Sequence, residues 1–250
     1  ILTRLVGSEM CIRDSYYANS EKDFEKIKSF PEKFDPEKYK VEQLYATSAD
    51  GTEIPYFQVS NVGTEANSSN PTLLYGYGGF QISLTPSYLG SFARQWLDAG
   101  GVYVIANIRG GGEFGPEWHQ SALKENRQRA YDDFIAVGET LISTGVTSSE
   151  HLGIRGGSNG GLLVGAVVAQ RPDLFNAVIC AVPLLDMYRY DKLLAGASWV
   201  DDVPEVLNSP PIVADQLMSV FEDGQLTIPF NGTDANGDSL IYEIIHSPLF

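Results

Sequence analysis

The chain has 250 residues, 43% of them hydrophobic, enough for one large domain or a medium domain with added pieces. Its net charge of −15 argues against nucleic acid or an anionic membrane surface as a partner. No stretch is long and apolar enough to form a membrane-spanning helix, and two cysteines, Cys11 and Cys180, cannot make a disulfide framework.

The charge is unevenly placed. Nine of the 32 acidic residues, and none of the 17 basic ones, lie from Asp201 onward. A break this abrupt predicts two segments of different character. Residues 1–15, ILTRLVGSEMCIRDS, have no clear period and resemble adapter-derived sequence, so they are expected to be a non-native, disordered leader. No apolar signal-peptide core is visible. The compartment stays open, with cytoplasm and periplasm both compatible with the first segment.

From Tyr16 to Lys40 the chain is polar and punctuated by proline, a lead-in rather than core. Tyr39–Ala46 and Glu53–Val59 favour strands, and Asp50-Gly51 between them signals a hairpin. Asn61–Asn70 is a polar loop. Pro71–Tyr77 predicts a buried strand that runs into Gly78-Gly79-Phe80. Ser87–Ala99 reads as helix, Val102–Ile108 as an apolar strand, and Glu125–Thr144 as an amphipathic helix with Tyr131, Phe134, Ile135, Val137 and Leu141 on one side. Leu152–Arg155 is a strand, Leu162–Gln170 a helix stopped by Arg171-Pro172, and Ala177–Val182 another apolar strand.

Apolar strands alternating with helices predict a parallel sheet covered on both faces, with the early hairpin as an antiparallel edge. This is the layout of an incomplete α/β-hydrolase fold. After Val200 the style changes to a linker-like Asn208–Pro211 and short β runs at Gln216–Phe221, Gln225–Phe230 and Leu240–Ile245, with a turn at Gly232–Ser239. These predict a short all-β, sandwich-like piece. The expected organisation is therefore a leader (1–15), a partial α/β-hydrolase domain (16–200) and a partial β-sandwich segment (201–250).

The chemistry centres on Gly156-Gly157-Ser158-Asn159-Gly160, a G-x-S-x-G match between a predicted strand and a predicted helix. Such a turn presents a serine hydroxyl at the top of a sheet, and the following helix N-terminus favours negative charge in front of it. Acyl transfer by serine needs a nucleophile, a base, an orienting acid and an oxyanion hole. Ser158 is the candidate nucleophile and the backbone N–H of Asn159 the first oxyanion donor. The second donor in this fold comes from the loop after the third strand, here Tyr75–Phe80.

YGYGGF at Tyr75–Phe80, NIRGGGEFGPEWH at Asn107–His119, AYDDFIAVGETLI at Ala130–Ile142, GGSNGG at Gly156–Gly161 and QRPDLFNAVI at Gln170–Ile179 together resemble the catalytic domain of the prolyl oligopeptidase family, over about residues 16–200. The resemblance implies a serine peptidase that cuts short proline-containing peptides, with no cofactor or metal. It implies Ser158 as nucleophile, Asn159 N–H and the Tyr77 hydroxyl as oxyanion donors, and Phe80 and Trp199 as walls of a proline pocket. In that family the acid and base follow well after the serine, and the sequence departs from the pattern at about Val200. His246 is the only histidine after Ser158, so no triad histidine or acid is assigned and the chain is expected to be nearly inactive.

The tail, about 208–250, is similar to cadherin-like repeats of bacterial surface proteins. Asp234, Asn236 and Asp238 alternate like oxygen ligands but lack the distal Glu of an EF-hand, so a solvated turn is favoured over a calcium site. Gly110–Gly115 fits G-x-G-x-x-G with Asp132 and Asp133 downstream, yet Pro116, Glu117 and Trp118 stand where an apolar helix should start. Three other readings therefore remain beside the peptidase: a same-fold esterase, a dinucleotide oxidoreductase, and a calcium-dependent adhesion module confined to the tail.

Overall fold

The structure is a computed structural model, and it describes residues 14–18, 24–29, 35–85, 95–193, 196–202, 212–213 and 232–233. The chain divides into two compact units, Ile1–Pro204 and Glu205–Phe250.

In the first unit, β1 (Asp14–Ala18) and β2 (Phe24–Ser29) pair antiparallel, in a stretch whose polarity predicted a lead-in rather than core. Asp14 and Ser15, placed with the leader by sequence, are the first two positions of β1. Residues 1–13 lie outside the described residues.

The Asp50-Gly51 hairpin joins β3 (Tyr39–Thr47) and β4 (Glu53–Asn61) in unbroken antiparallel register, Tyr39 opposite Asn61 and Thr47 opposite Glu53. The Ser48 N–H closes the turn on Thr52 O at 2.8 Å. Strand β4 continues antiparallel onto β6 (Val102–Ala106), and from there the sheet is parallel: β6, β5 (Thr72–Tyr75), β7 (Leu152–Gly157), β8 (Ala177–Ala181). The six strands run β3-β4-β6-β5-β7-β8. This is the mainly parallel sheet with an antiparallel edge that the sequence predicted.

Helix α1 (Pro116–Gln120) is short, whereas α2 (Gln128–Ser143) and α3 (Asn159–Gln170) carry the sheet's cover. Every residue of β6 is buried, as suits a strand with both faces covered. Phe134, Val137 and Leu141 of α2 are fully buried against Leu74, Val104, Ile154 and Leu163. Tyr131 and Ile135 are only partly buried, because the inward face of α2 turns toward Ala130, Asp133 and Ala136 instead. The predicted helix over 87–99 is seen at residues 95–98; residues 86–94 lie outside the described residues.

A polar network ties the hairpin to α2. Arg109 meets Asp133 in a fork, Nε to Oδ2 at 2.9 Å and Nη2 to Oδ1 at 2.6 Å, while Ser48 Oγ donates to Asp133 Oδ1 at 2.6 Å. Asp133 is fully buried, and with these donors its charge is matched rather than stranded. Arg109 Nη1 reaches on to Asp50 Oδ2 at 2.5 Å.

The outermost strand differs from the others. Strand β8 is apolar yet mostly exposed, Val178 by 38% and Ile179 by 50%. Its outer edge pairs with no described strand.

In the second unit, β9 (Ile212–Val213) and β10 (Gly232–Thr233) pair antiparallel. Gly232 and Thr233 thus form a strand where the sequence predicted the start of a turn. The other predicted β runs, Asp234, Asn236, Asp238 and His246 lie outside the described residues.

Candidate active site

Ser158 stands between the end of β7 and the start of α3, with φ 56° and ψ −119°. A non-glycine residue in this region costs on the order of 1–3 kcal/mol and persists only where its surroundings hold it. The holding groups are visible. Ser158 N–H donates to Ala181 O at the end of β8 (2.9 Å), and Ser158 O accepts from Gly161 and Leu162 N–H at 2.9 and 3.1 Å. A Cβ on Gly156 would fall 1.8 Å from Gly160 O, so the turn cannot close around any larger residue there.

The loop after β5 lies directly against this turn. A Cβ on Gly160 would meet Gly76 O at 2.8 Å, and one on Gly79 would meet the Asn159 side chain at 2.5 Å. Backbone from two separate motifs therefore meets at van der Waals distance on one side of the sheet. There the Tyr77 ring lies beside the serine turn, its Cδ2 3.6 Å from where a Cβ on Gly160 would stand. Burial pushes the Tyr77 phenol above its usual value, opposed by the neighbouring Ser158 side chain. The phenol consequently keeps its proton at neutral pH and remains a donor. Asn159 opens α3, so its N–H has no carbonyl one turn earlier in the helix to bond.

Asn159 is fully buried and its amide is committed at both ends. Nδ2 donates to Tyr77 O at 2.6 Å, and Oδ1 accepts from Arg127 Nη2 at 2.9 Å. Arg127 Nη1 donates to Gly78 O at 2.5 Å. One guanidinium thus clamps the tyrosine loop to the serine turn. Sequence reasoning missed Arg127, whose position just before α2 carries no motif signal.

Phe80 and Trp199 are brought together. Both are half-buried and both pack on the cluster formed by Leu162 and Tyr190, with Met187 and Val200 beside them. Trp199 lies in a 3-10 turn, Gly196–Trp199. Asp202, which the acidity break assigned to the tail, belongs to the first unit, and its carboxylate accepts from Phe80 N–H.

Neither of the two described histidines, His119 and His151, is bonded to Ser158. His119 Nδ1 lies 2.7 Å from Gly110 O and Nε2 lies 3.1 Å from Asp202. His151 precedes β7, six residues of strand and about 20 Å from the serine turn. The glycine run Gly110–Gly115 leads into α1, whose five residues begin with proline. That is too short to present a dinucleotide-binding helix behind the glycines. Among the described residues, no cluster of His, Cys, Asp and Glu could hold a metal ion.

Residues 88–210 match the family model described as the prolyl oligopeptidase family. Similar relatives include an uncharacterised peptidase of Sinorhizobium fredii, 57% identical over 70% of this chain and 24% of that protein, and a prolyl endopeptidase of Elizabethkingia miricola, 48% identical over 68% of this chain and 24% of that protein. Among solved structures, a post-proline cleaving enzyme from Rickettsia typhi superposes with a TM-score of 0.74 at 49% identity, covering 78% of this chain and 28% of that one. The chain spans about a quarter of the length of the curated relatives it matches.

Proposed function

From the premise that this chain belongs to the prolyl oligopeptidase family, we propose that residues 16–200 are part of a serine peptidase that cleaves short peptides after proline through an acyl-enzyme. The observation that carries this reading is the packing of the Tyr77 loop against Ser158's strained strand-to-helix turn. Ser158 Oγ attacks the scissile carbonyl. The developing oxyanion is met by Asn159 N–H and the Tyr77 hydroxyl. One such donor is worth about 2.7–4 kcal/mol of transition-state stabilisation. Phe80 and Trp199 flank the proline ring, and the similar Elizabethkingia prolyl endopeptidase and Rickettsia post-proline cleaving enzyme agree with that specificity.

Among the described residues, no histidine is bonded to Ser158 as a base. His119 engages Gly110 and Asp202, and His151 stands at the far end of β7. Ser158 without a base remains protonated and weakly nucleophilic. We therefore expect the 250-residue chain alone to turn over a chromogenic proline peptide only slightly faster than its Ser158→Ala variant. Ser158-dependent turnover at about 1 s⁻¹ or more, an ordinary enzyme rate, would refute this and assign the base to His246 or to a partner chain.

A further inference from the structure

Phe80 and Gln81 are consecutive non-glycine residues with positive φ, 54° and 55°. Left-handed backbone at two such neighbours is strained, and something must hold it. The holding group is Asp202. One carboxylate oxygen accepts from Phe80 N–H, and the other lies 3.1 Å from His119 Nε2. His119 is itself fixed by Gly110 O at 2.7 Å, and Gln81 N–H donates to the same carbonyl at 3.3 Å. On the other side, Asp202 N–H closes the turn after Trp199 by donating to Trp199 O at 3.0 Å. The side chains of Asp202 and His119 are nearly buried, 10% and 14% exposed, so water competes weakly for these bonds. Between Phe80 and Trp199 there is thus one continuous chain of bonds running through Asp202.

We propose that Asp202, braced by His119, is a positioning residue that sets the spacing between the Phe80 and Trp199 rings and so determines selectivity for the proline side chain. The inference rests on the proline-pocket reading given above. It needs no contact between Asp202 and the substrate. A puckered five-membered ring makes full contact with two aromatic walls only over a narrow range of separations, whereas the smaller alanine methyl group depends on it far less. If Asp202 loses its carboxylate, Phe80 relaxes out of the left-handed region and the walls separate.

The test uses the 250-residue chain and two probes, N-acetyl-alanyl-prolinamide and N-acetyl-alanyl-alaninamide, titrated while following the backbone amide resonances of the chain. Asp202→Ala should lower the proline-to-alanine affinity ratio by about tenfold, the worth of one buried hydrogen bond to a charged group. Asp202→Asn retains an acceptor for Phe80 N–H and should recover to within about threefold of the unaltered chain. If Asp202→Ala does not fold, His119→Ala serves instead and should lower the ratio by about threefold, because the Phe80 bond survives without its brace. Equal loss for both probes, or an unchanged ratio, overturns the proposal. Trp199→Ala separates the two levels. A ratio lost there but kept in Asp202→Ala rejects the positioning role alone. No proline preference in the unaltered chain rejects the pocket reading and the proposal with it.

Discussion

Replacing Arg127 by Met sets two large effects against each other. The residue is 3% exposed, and its guanidinium bonds Gly78 O and Asn159 Oδ1 but no carboxylate. Its Nε has no hydrogen-bond partner. Met preserves the aliphatic stem and removes both donors, stranding two buried acceptors at about 1–3 kcal/mol each. Against that, Met lifts the desolvation cost of a buried cation, which can be several kcal/mol. The acceptors should win, because Asn159 cannot turn its amide to water while Nδ2 is held on Tyr77 O, and Gly78 O is hemmed in by Gly110. With about 4 kcal/mol for the two acceptors against about 2–3 kcal/mol for the lifted desolvation, the expected net loss is about 1–2 kcal/mol. Urea unfolding followed by tryptophan fluorescence measures it for the first unit alone, since Trp96, Trp118 and Trp199 all lie there. Arg127→Lys should fall about as far, because it keeps the charge but not the two-pronged geometry. A Met variant within about 0.5 kcal/mol of the unaltered chain, or more stable, would show that desolvation dominates and that the clamp is not what holds the loop.

Three further outcomes follow from the same geometry. The Arg109 guanidinium hydrogen-bonded to Asp50 holds its carboxyl well below the usual range, so the stabilisation is present above the unfolded-state value and is lost as pH falls. The stability gap between the chain and Asp50→Asn should therefore narrow below about pH 4, and a gap constant from about pH 6 to pH 3 would exclude the linkage. Gly156→Ala puts a methyl group 1.8 Å from Gly160 O and should abolish Ser158 labelling by a fluorophosphonate in any full-length relative carrying the change; retained labelling would contradict the turn geometry. Ile179→Lys places a charge on the outer strand and should reduce light scattering of the concentrated chain; unchanged scattering would locate association elsewhere.

Local pattern went far here because β6, β7 and α2 each satisfy one rule without conflict: a fully apolar strand, a strand into glycine, and a helix with one apolar face. The turn at Ser158 was legible for a different reason, since only glycines permit its backbone approach. What could not be read were groups that act across the sequence. Arg127 reaches Gly78 and Asn159, 49 and 32 positions away, and no local period records a bond of that kind. Asp202 was misassigned because charge composition changes at Asp201, while the packing boundary falls after Pro204. Element ends shifted by a residue or two wherever a turn needed them, as at β5, which stops at Tyr75 so that Gly76 can lie against Phe134.

The bond from Ser158 N–H to Ala181 O ties the serine turn to the last residue of the sheet's outermost strand. Amide protection in a protein is lost first where few buried contacts hold a segment. Strand β8 is such a segment, and when it frays the Ser158 amide becomes free to exchange with solvent. Hydrogen exchange at Ser158 should thus follow the opening of β8 and not that of the buried β7 that carries it. The reactive turn is then only as persistent as the strand next to it, and whatever covers β8 also sets how long the strained backbone at Ser158 endures.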